Sequence, residues 1–173
     1  MIGNDIVDLA LARKENNWQR KGFLQKIFTA QEQLLIQSAN EAESMVWELW
    51  SRKEASYKIY NRQSNSRVFN PIQFNCLPTK NENGFLYGIV QYKSIFYYTK
   101  TIITNEYILS VSTVQEDNFE NSDTLFIDNY DDYLNKKWIY KNNFGVPFLK
   151  DKFSNTLKPI SITHHGKFTV ITQ

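Results

Sequence analysis

The sequence predicts an α+β fold in which an antiparallel β-sheet packs against helices. Two observations support this prediction. Residues 29–60 carry helix start signals and apolar residues at helical spacing, whereas residues 72–114 consist of β-branched and aromatic runs separated by turn residues. With 173 residues, of which 42% are hydrophobic, the chain can bury one substantial core or two small lobes.

The N-terminal segment, residues 2–9, is predicted to form a short strand because most of its residues are apolar. Gly3 lies in this strand, where it permits the close approach of another backbone or of a ligand. Two acids, Asp5 and Asp8, lie on the strand or just after it.

Residues 11–28 predict one or two helical turns that are broken near Gly22. Thr29 and Glu32 then have the spacing of a capping box, in which each side chain binds the backbone amide of the other residue. A helix that runs to about Ser38 should follow.

The next predicted helix, residues 41–60, carries the residues best suited to catalysis or ligand binding. Its packed face includes Lys53, which is unexpected among apolar and aromatic neighbours, and Glu54 and Lys58 lie one turn apart on the shoulder of that face. The other residues of the packed face are Val46, Leu49, Trp50, Tyr57 and Tyr60. On helix geometry alone, Lys53 extends past the aromatic side chains to water, and Glu54 and Lys58 form an ordinary surface ion pair.

After residue 61 the pattern becomes one of strands. Asn83-Gly84 predicts a hairpin turn between the segment 72–77 and the long run 85–103. With residues 107–114, these segments predict a sheet of three to five antiparallel strands. Shorter strands are predicted further along the chain, at residues 124–127, 159–162 and 168–172.

Composition limits the class of protein. The net charge of +2 is too small to indicate nucleic acid binding, and no run of about 18 apolar residues could span a membrane. The single cysteine, Cys76, excludes an intramolecular disulfide and leaves a zinc finger without ligands. The N-terminus lacks an apolar secretory region, so we expect a cytoplasmic protein without nucleic acid or membrane partners.

The acids and lysines suggest a metal site beside a phosphate site. Mg²⁺ prefers oxygen ligands and takes only one or two protein carboxylates, which Asp5 and Glu54 could supply. Lys53 and Lys58 flank Glu54 in sequence, and ammonium groups around a carboxylate suit a site that also binds a polyphosphate. The alternative is that Asp5 caps a turn.

Three segments of the chain together resemble the 4'-phosphopantetheinyl transferase superfamily. Residues 2–9 read Ile-Gly-Asn-Asp-Ile-Val-Asp-Leu, and residues 50–58 read Trp-Ser-Arg-Lys-Glu-Ala-Ser-Tyr-Lys, with Phe28-Thr29 and Glu32 between them. Near the C-terminus, residues 145–149 and 160–166 resemble the family's Gly-x-Pro and Ser-x-Ser-His segments. The motif form is most similar to that of holo-acyl-carrier-protein synthase.

The resemblance implies a 4'-phosphopantetheinyl transferase-like fold and an enzyme that moves the phosphopantetheine arm of coenzyme A to a carrier-protein serine. Asp5 and Glu54 match the magnesium ligands, Lys53 and Lys58 match the lysines near the pyrophosphate, and His164 matches a histidine that contacts coenzyme A phosphate. Glu54 would be the general base, with Lys58 as the second choice. The preference between Mg²⁺ and Mn²⁺ is left open.

The chain also departs from the family. In the larger type of enzyme a further acidic ligand stands where this chain has Val7, so we expect two protein carboxylates on the metal and no role there for Asp8. The usual glycine-rich turn after the Lys-Glu-Ala helix is absent, and Arg62 and Arg67 could serve the phosphates instead. Adjacent strand residues point to opposite faces, so only His164 should enter the cleft, with His165 in a structural or peripheral role.

The expected partners are coenzyme A and an acyl or peptidyl carrier protein, whose acidic surface could dock on Arg13, Lys14, Arg20 and Lys21. We expect a transferase core at residues 1–115, an acidic connection at 116–135, and a segment at 136–173 that completes the coenzyme A cleft. That segment could act within its own chain or in a neighbouring subunit of a dimer or trimer. The rival hypotheses are a non-catalytic α+β module that binds protein or single-stranded RNA, and a degenerate homologue that binds coenzyme A without turnover.

Overall fold

One long helix lies across an antiparallel sheet, as predicted. The computed structural model describes residues 1–65, 67–128, 139–150 and 156–173. The end of the expected acidic connection and the start of the expected C-terminal segment, residues 129–138, therefore lie outside the described residues. Among the described residues, no helix is long and apolar enough to cross a membrane.

Four helices follow the first strand closely in sequence: α1 (Leu9–Glu15), α2 (Phe23–Ile27), α3 (Ala30–Ser38) and α4 (Ala42–Ser64). The break near Gly22 and the capping box are confirmed, since Gly22 is the N-cap of α2 with φ 81° and Glu32 Oε2 accepts from Thr29 N at 2.8 Å. Helix α4 runs four residues beyond the predicted end and stops where Asn65 adopts a left-handed conformation with φ 53°.

The main sheet has the strand order β1-β6-β5-β4-β2, with β3 paired to β4, and every pair is antiparallel. Its six strands are β1 (Ile2–Asp8), β2 (Phe74–Cys76), β3 (Lys80–Glu82), β4 (Phe85–Tyr92), β5 (Ile95–Ile103) and β6 (Tyr107–Thr113). The prediction of three to five strands was therefore too low. The run 85–103 folds back on itself at Lys93, which has φ 54°, and the Asn83-Gly84 turn joins β3 rather than β2 to β4.

The core lies between α4 and the sheet, and Gly3 sets how close they approach. A Cβ atom on Gly3 would lie 2.0 Å from the Ala55 carbonyl oxygen, so only glycine fits between β1 and α4 at this position. Fully buried residues from both elements fill the interface, among them Val46, Leu49, Ile59, Phe74, Tyr97 and Ile108. This close packing brings the first strand and the middle of α4 side by side.

Two small sheets complete the described part of the chain, with the orders β11-β12-β7 and β10-β9-β8. Their strands are β7 (Thr124–Phe126), β8 (Ile139–Lys141), β9 (Pro147–Lys150), β10 (Leu157–Pro159), β11 (Ser161–His165) and β12 (Phe168–Thr172). The predicted strands at 124–127 and 168–172 are confirmed. The strand predicted at 159–162 is wrong in its bounds, because Pro159 ends β10 and β11 begins only at Ser161 and runs to His165.

Strand β11 lies along the free edge of β1, to which side chains rather than a backbone ladder join it. The backbone N–H groups of Asn4, Ile6 and Asp8 donate to side chains of β11: to Ser161 Oγ at 3.0 Å, Thr163 Oγ1 at 3.2 Å and His165 Nδ1 at 2.8 Å, respectively. The partners advance by two residues on each strand, so the strands run parallel. An edge that would otherwise expose unpaired amides is thereby covered.

Two cations of α4 join the same pair of strands through their carbonyl groups. Lys58 Nζ donates to Asn4 O at 2.5 Å and contacts Ile162 O at 3.4 Å. Arg62 donates to Ile2 O and Ile160 O, both at 2.6 Å. The C-terminal strands are thus held beside the N-terminal strand of the same chain and next to α4.

Candidate active site

A cavity of about 660 Å³ opens where β1, α4 and β11 meet. Its polar lining includes the predicted site residues Asp5, Glu54, Lys58 and His164, together with His165. Its apolar lining includes Phe23 and Ile27 of α2 and Trp47 and Trp50 in the first half of α4. The structure therefore brings together acids, a lysine and a histidine from three distant parts of the sequence.

Asp5 projects from β1 with its two carboxylate oxygens in different surroundings. Oδ1 accepts from Thr163 Oγ1 at 3.3 Å and lies 3.8 Å from Lys58 Nζ. Oδ2 is buried and has no hydrogen-bond partner among the described residues. Burial raises the pKa of Asp5, although Lys58 and nearby hydroxyl groups oppose this effect. An unpartnered buried carboxylate oxygen favours the binding of a cation.

Glu54 faces the same cavity from α4. Burial, with a further contribution from the negative charge of Asp5, raises the pKa of Glu54 to about 7. The Lys58 ammonium turns towards Asp5 and the carbonyl group of Asn4. The interpretation of Glu54 and Lys58 as an ordinary surface pair is wrong, because both side chains border the cavity and Lys58 pairs with Asp5 instead.

The donor set fits a hard divalent cation with few protein ligands. No group of three or more His, Cys, Asp or Glu residues that could hold a metal occurs in the part of the chain that the structure describes. Mg²⁺ differs from zinc in this respect, because it is commonly bound by one or two carboxylates and completes its octahedron with water and phosphate oxygens. Asp5 and Glu54 match that requirement.

Asp8 has a structural role. Its Oδ1 accepts from the backbone N–H groups of Ala10 and Leu11, and its Oδ2 accepts from that of Lys167. Burial alone would raise the pKa of Asp8, but the three N–H donors outweigh it and lower the pKa. Both oxygens are used, as an N-cap of α1 and an anchor for the turn at Gly166.

The structure does not bring Lys53 to this cavity, contrary to our expectation that it binds phosphate. Its ammonium is fully buried, 2.7 Å from Glu32 Oε2, and it donates to Pro71 O at 2.9 Å. It also lies over the Phe28 ring, 5.5 Å from the centroid. The expected extension past the aromatic side chains to water is equally wrong, because Lys53 is directed into the core and paired there.

A second cavity, of about 310 Å³, adjoins the last turns of α4. Lys58, Arg62 and Arg67 line it, opposite Gly145 and Pro147 of the predicted Gly-x-Pro segment. Arg67 is exposed, whereas the guanidinium of Arg62 is occupied by the carbonyl groups of Ile2 in β1 and of Ile160, just before β11. Burial lowers the pKa of Arg62 to about 10, so the side chain stays cationic at neutral pH.

The adjacent histidines have different surroundings. His164 is exposed and borders both the first cavity and a third one of about 390 Å³ that includes Lys141. His165 also borders the first cavity, so the expectation that only one histidine reaches the cleft is wrong. Its Nδ1 accepts from Asp8 N, which agrees with the expected structural role.

The polarity of the cavity walls changes along α4. Trp47 and Trp50 come first, Glu54 and Lys58 follow, and Arg62 lies about 22 Å from Trp47 along the helix axis. The buried indole N–H of Trp47 has no partner among the described residues. The sequence analysis assigned Trp50 to the packed face and missed Trp47. It also missed a role for Thr163, although Thr163 lies in the C-terminal motif that was identified.

The match to a protein-family model agrees with the motifs. A family model described as ACPS, the 4'-phosphopantetheinyl transferase superfamily, matches residues 1–112. A solved structure of apo-ACPS from Chronobacterium ammoiniagenes is similar with a TM-score of 0.49 and 15% sequence identity, and the alignment covers 65% of this chain and 93% of that chain. No curated protein matches the chain.

Proposed function

Because this chain belongs to the 4'-phosphopantetheinyl transferase superfamily, we propose that it transfers the 4'-phosphopantetheine arm of coenzyme A to a serine of an acyl or peptidyl carrier protein. Adenosine 3',5'-bisphosphate is the other product. The observation that carries the proposal is the convergence of Asp5, Glu54, Lys58 and His164 on one cavity. A protein that shared only the fold would not need these four groups at one cavity.

Asp5 and Glu54 are the residues that would hold Mg²⁺ in this site. When bound, Mg²⁺ supplies charge neutralisation to the pyrophosphate oxygens and to the leaving bisphosphate. The unpartnered Oδ2 of Asp5 and the two-carboxylate donor set support this assignment. Comparison of Mg²⁺ with Mn²⁺ in the transfer assay identifies the preferred ion.

Glu54 is the proposed general base that takes the proton of the attacking serine. In the metal-free protein the pKa of Glu54 is about 7, and a bound cation would favour its ionised form, which is the form that can accept the proton. Lys58 is the second choice, since burial lowers the pKa of its ammonium. In its charged form Lys58 instead holds Asp5 and contributes positive charge beside the phosphates.

The changing polarity along α4 suggests how coenzyme A lies in the site. The phosphates of the nucleotide half suit the cavity lined by Lys58 and Arg67, with His164 as a further hydrogen-bond donor. The pantetheine half suits the tryptophan-lined part, where amide carbonyl groups could accept from the free indole N–H of Trp47. Arg62 supports this arrangement by holding the two strands that border it.

The carrier protein would approach from the side of α1 and α2. Lys14, Arg20 and Lys21 are exposed there, and Arg20 also borders the cavity. Arg13 pairs with Glu43 at 2.7 Å but keeps more than half of its side chain exposed. Acidic carrier proteins are attracted to such a surface, and this attraction should weaken as the salt concentration rises.

The test incubates the protein with coenzyme A, MgCl₂ and several apo-carrier proteins, and measures each carrier by mass spectrometry. The expected result is a mass gain of one phosphopantetheine arm. Asp5→Asn and Glu54→Gln should abolish the gain, whereas Glu82→Gln, an exposed control in β3, should not change it. Absence of the gain with every carrier, together with no coenzyme A binding, would contradict the proposed function.

A further inference from the structure

Thr163 is the one residue of β11 whose hydroxyl connects the β1 backbone to Asp5. Its Oγ1 accepts from Ile6 N at 3.2 Å and lies 3.3 Å from Asp5 Oδ1. A hydroxyl has one proton to donate and can accept at the same time, so Thr163 can accept from the Ile6 amide while it donates its proton to the carboxylate. Thr163 is buried and borders the first cavity beside Asp5.

This contact makes the two oxygens of Asp5 different. Thr163 and Lys58 both approach Oδ1, while Oδ2 is left buried without a partner among the described residues. Ser51 Oγ also donates to the Asp5 carbonyl group at 3.1 Å and so fixes the backbone of the same residue. Thr163 and Lys58 therefore hold Oδ1, and Ser51 is close enough to the same carboxylate to favour its ionised form.

We propose that Thr163 is a positioning residue for Asp5: its hydroxyl holds Oδ1 and so leaves Oδ2 available to the divalent cation that Asp5 and Glu54 would hold. This inference rests on the metal site of the proposed function, but it does not depend on which substrate is used. Residues that orient a metal-binding side chain commonly change metal affinity about 10- to 100-fold when they are replaced. Thr163 would have such an effect without contacting the metal.

Ser161 provides a matched control on the same strand. Its hydroxyl accepts from Asn4 N at 3.0 Å, just as Thr163 accepts from Ile6 N, and it is equally buried. Ser161→Ala and Thr163→Val therefore each leave one β1 amide without its acceptor. Only Thr163→Val also removes the donor to Asp5. Thr163→Ser keeps both functions and serves as the rescue variant.

The experiment measures Mn²⁺ affinity by electron paramagnetic resonance, without coenzyme A or carrier protein, for the wild type and these three variants. Thr163→Val should weaken Mn²⁺ binding about tenfold, whereas Thr163→Ser and Ser161→Ala should stay close to the wild type. Urea unfolding of the metal-free proteins reports the loss of stability, which should be similar for Thr163→Val and Ser161→Ala.

Unchanged Mn²⁺ affinity in Thr163→Val would overturn the inference. Equal weakening in Ser161→Ala would overturn it too, because the effect would then come from loosening β11. A wild type that binds no Mn²⁺ would likewise contradict it. If the wild type binds Mn²⁺ with the predicted pattern but modifies no carrier, the proposed function fails while the positioning role of Thr163 stands.

Discussion

At the scale of single residues, Glu32 explains why a lysine is found in the core. Its Oε2 accepts from Thr29 N at 2.8 Å and from Lys53 at 2.7 Å, while its Oε1 accepts from Cys76 N at 2.7 Å. One carboxylate therefore caps α3, neutralises a buried ammonium on α4 and binds the end of β2. The capping box was visible in the sequence, but its second use as a counter-ion was not.

Replacement of Lys53 should reduce stability and leave coenzyme A binding intact. Lys53→Met leaves the Glu32 carboxylate buried without its cation, which should cost about 3 kcal/mol in the free energy of unfolding. Urea denaturation measures this loss, and Lys14→Met on exposed α1 should change the same quantity by less than about 0.5 kcal/mol. A phosphate-binding Lys53 would give the reverse pattern: nearly normal stability and much weaker coenzyme A binding.

Glu54 should make the metal-free protein less stable as the pH rises. Its pKa in the folded state is about 7 against an ordinary value of 4.5, so the folded state holds the proton more tightly. This stabilisation is complete below pH 4.5 and is lost as the pH rises through 7, a change of up to about 3 kcal/mol. Urea unfolding between pH 5 and 8 should show the decline, and Glu54→Gln should make it shallower; the raised pKa of Asp5 contributes a decline of the same sign.

Magnesium supplies the control for this pH dependence. A cation that binds ionised Glu54 only in the folded state should restore stability at pH 8 in the wild type. Glu54→Gln lacks the ligand and should gain much less from the same MgCl₂ concentration. An equal pH slope in the two metal-free proteins would show that Glu54 is not the group whose burial produces the decline.

At the scale of elements, the contact between β1 and α4 decides whether the two acids meet. Gly3→Ala would place a Cβ atom 2.0 Å from the Ala55 carbonyl oxygen, and that atom belongs to the helix backbone. The helix must move away, which should cost about 2 to 3 kcal/mol in the free energy of unfolding. The same movement separates Asp5 from Glu54, so Mn²⁺ affinity should fall as well.

Gly84→Ala is the comparison for this substitution. Gly84 has φ 80° in an exposed hairpin and nothing within 4 Å of its missing Cβ, so the change should cost only the backbone strain of about 1 kcal/mol. Its Mn²⁺ affinity should match that of the wild type. Equal losses of metal affinity in the two variants would show that close packing at Gly3 does not position the acids.

Local sequence signals predicted well where helices and strands form, but predicted poorly which strands pair. Helical spacing identified α4, and the Asn83-Gly84 pair identified a real hairpin, because both depend on residues that are close in sequence. The turn at Lys93 was not predicted because a lysine with positive φ is uncommon. The antiparallel pairing of β4 with β5 requires the chain to reverse there. The packing of β11 on the edge of β1 joins residues 157 positions apart in sequence, and hydrophobic periodicity does not report contacts of that range.

The same limit applies to the candidate site. Asp5, Glu54, Lys58 and His164 came from motifs whose order along the chain was informative, and the structure places all four at one cavity. Lys53 carries the same charge one residue before Glu54, yet a rotation of about 100° per residue directs it to the core. Charge and spacing alone could not separate a phosphate ligand from a buried counter-ion.

At the scale of the whole molecule, the C-terminal strands cover the edge of the N-terminal strand of their own chain. Ser161, Thr163 and His165 accept the β1 amides, while Lys58 and Arg62 hold the carbonyl groups of both strands. These contacts support the proposal that the segment completes the coenzyme A cleft within one chain. An oligomer that exchanged this segment would have to form the same contacts between subunits.

Mixing two impaired variants distinguishes these arrangements. Asp5→Asn removes a metal ligand on β1, and the double variant Thr163→Val/His164→Ala removes the β11 contribution to the cavity. The two chains are unfolded together, refolded and assayed for carrier modification, with each refolded alone as a control.

If β11 acts within its own chain, every chain has one defective half, and the mixture should be no more active than the average of the two separate proteins. If β11 acts in a neighbouring subunit, random pairing rebuilds an intact site in roughly a quarter of the clefts, and a comparable share of wild-type activity returns. Recovery of that size would contradict a cleft completed within one chain.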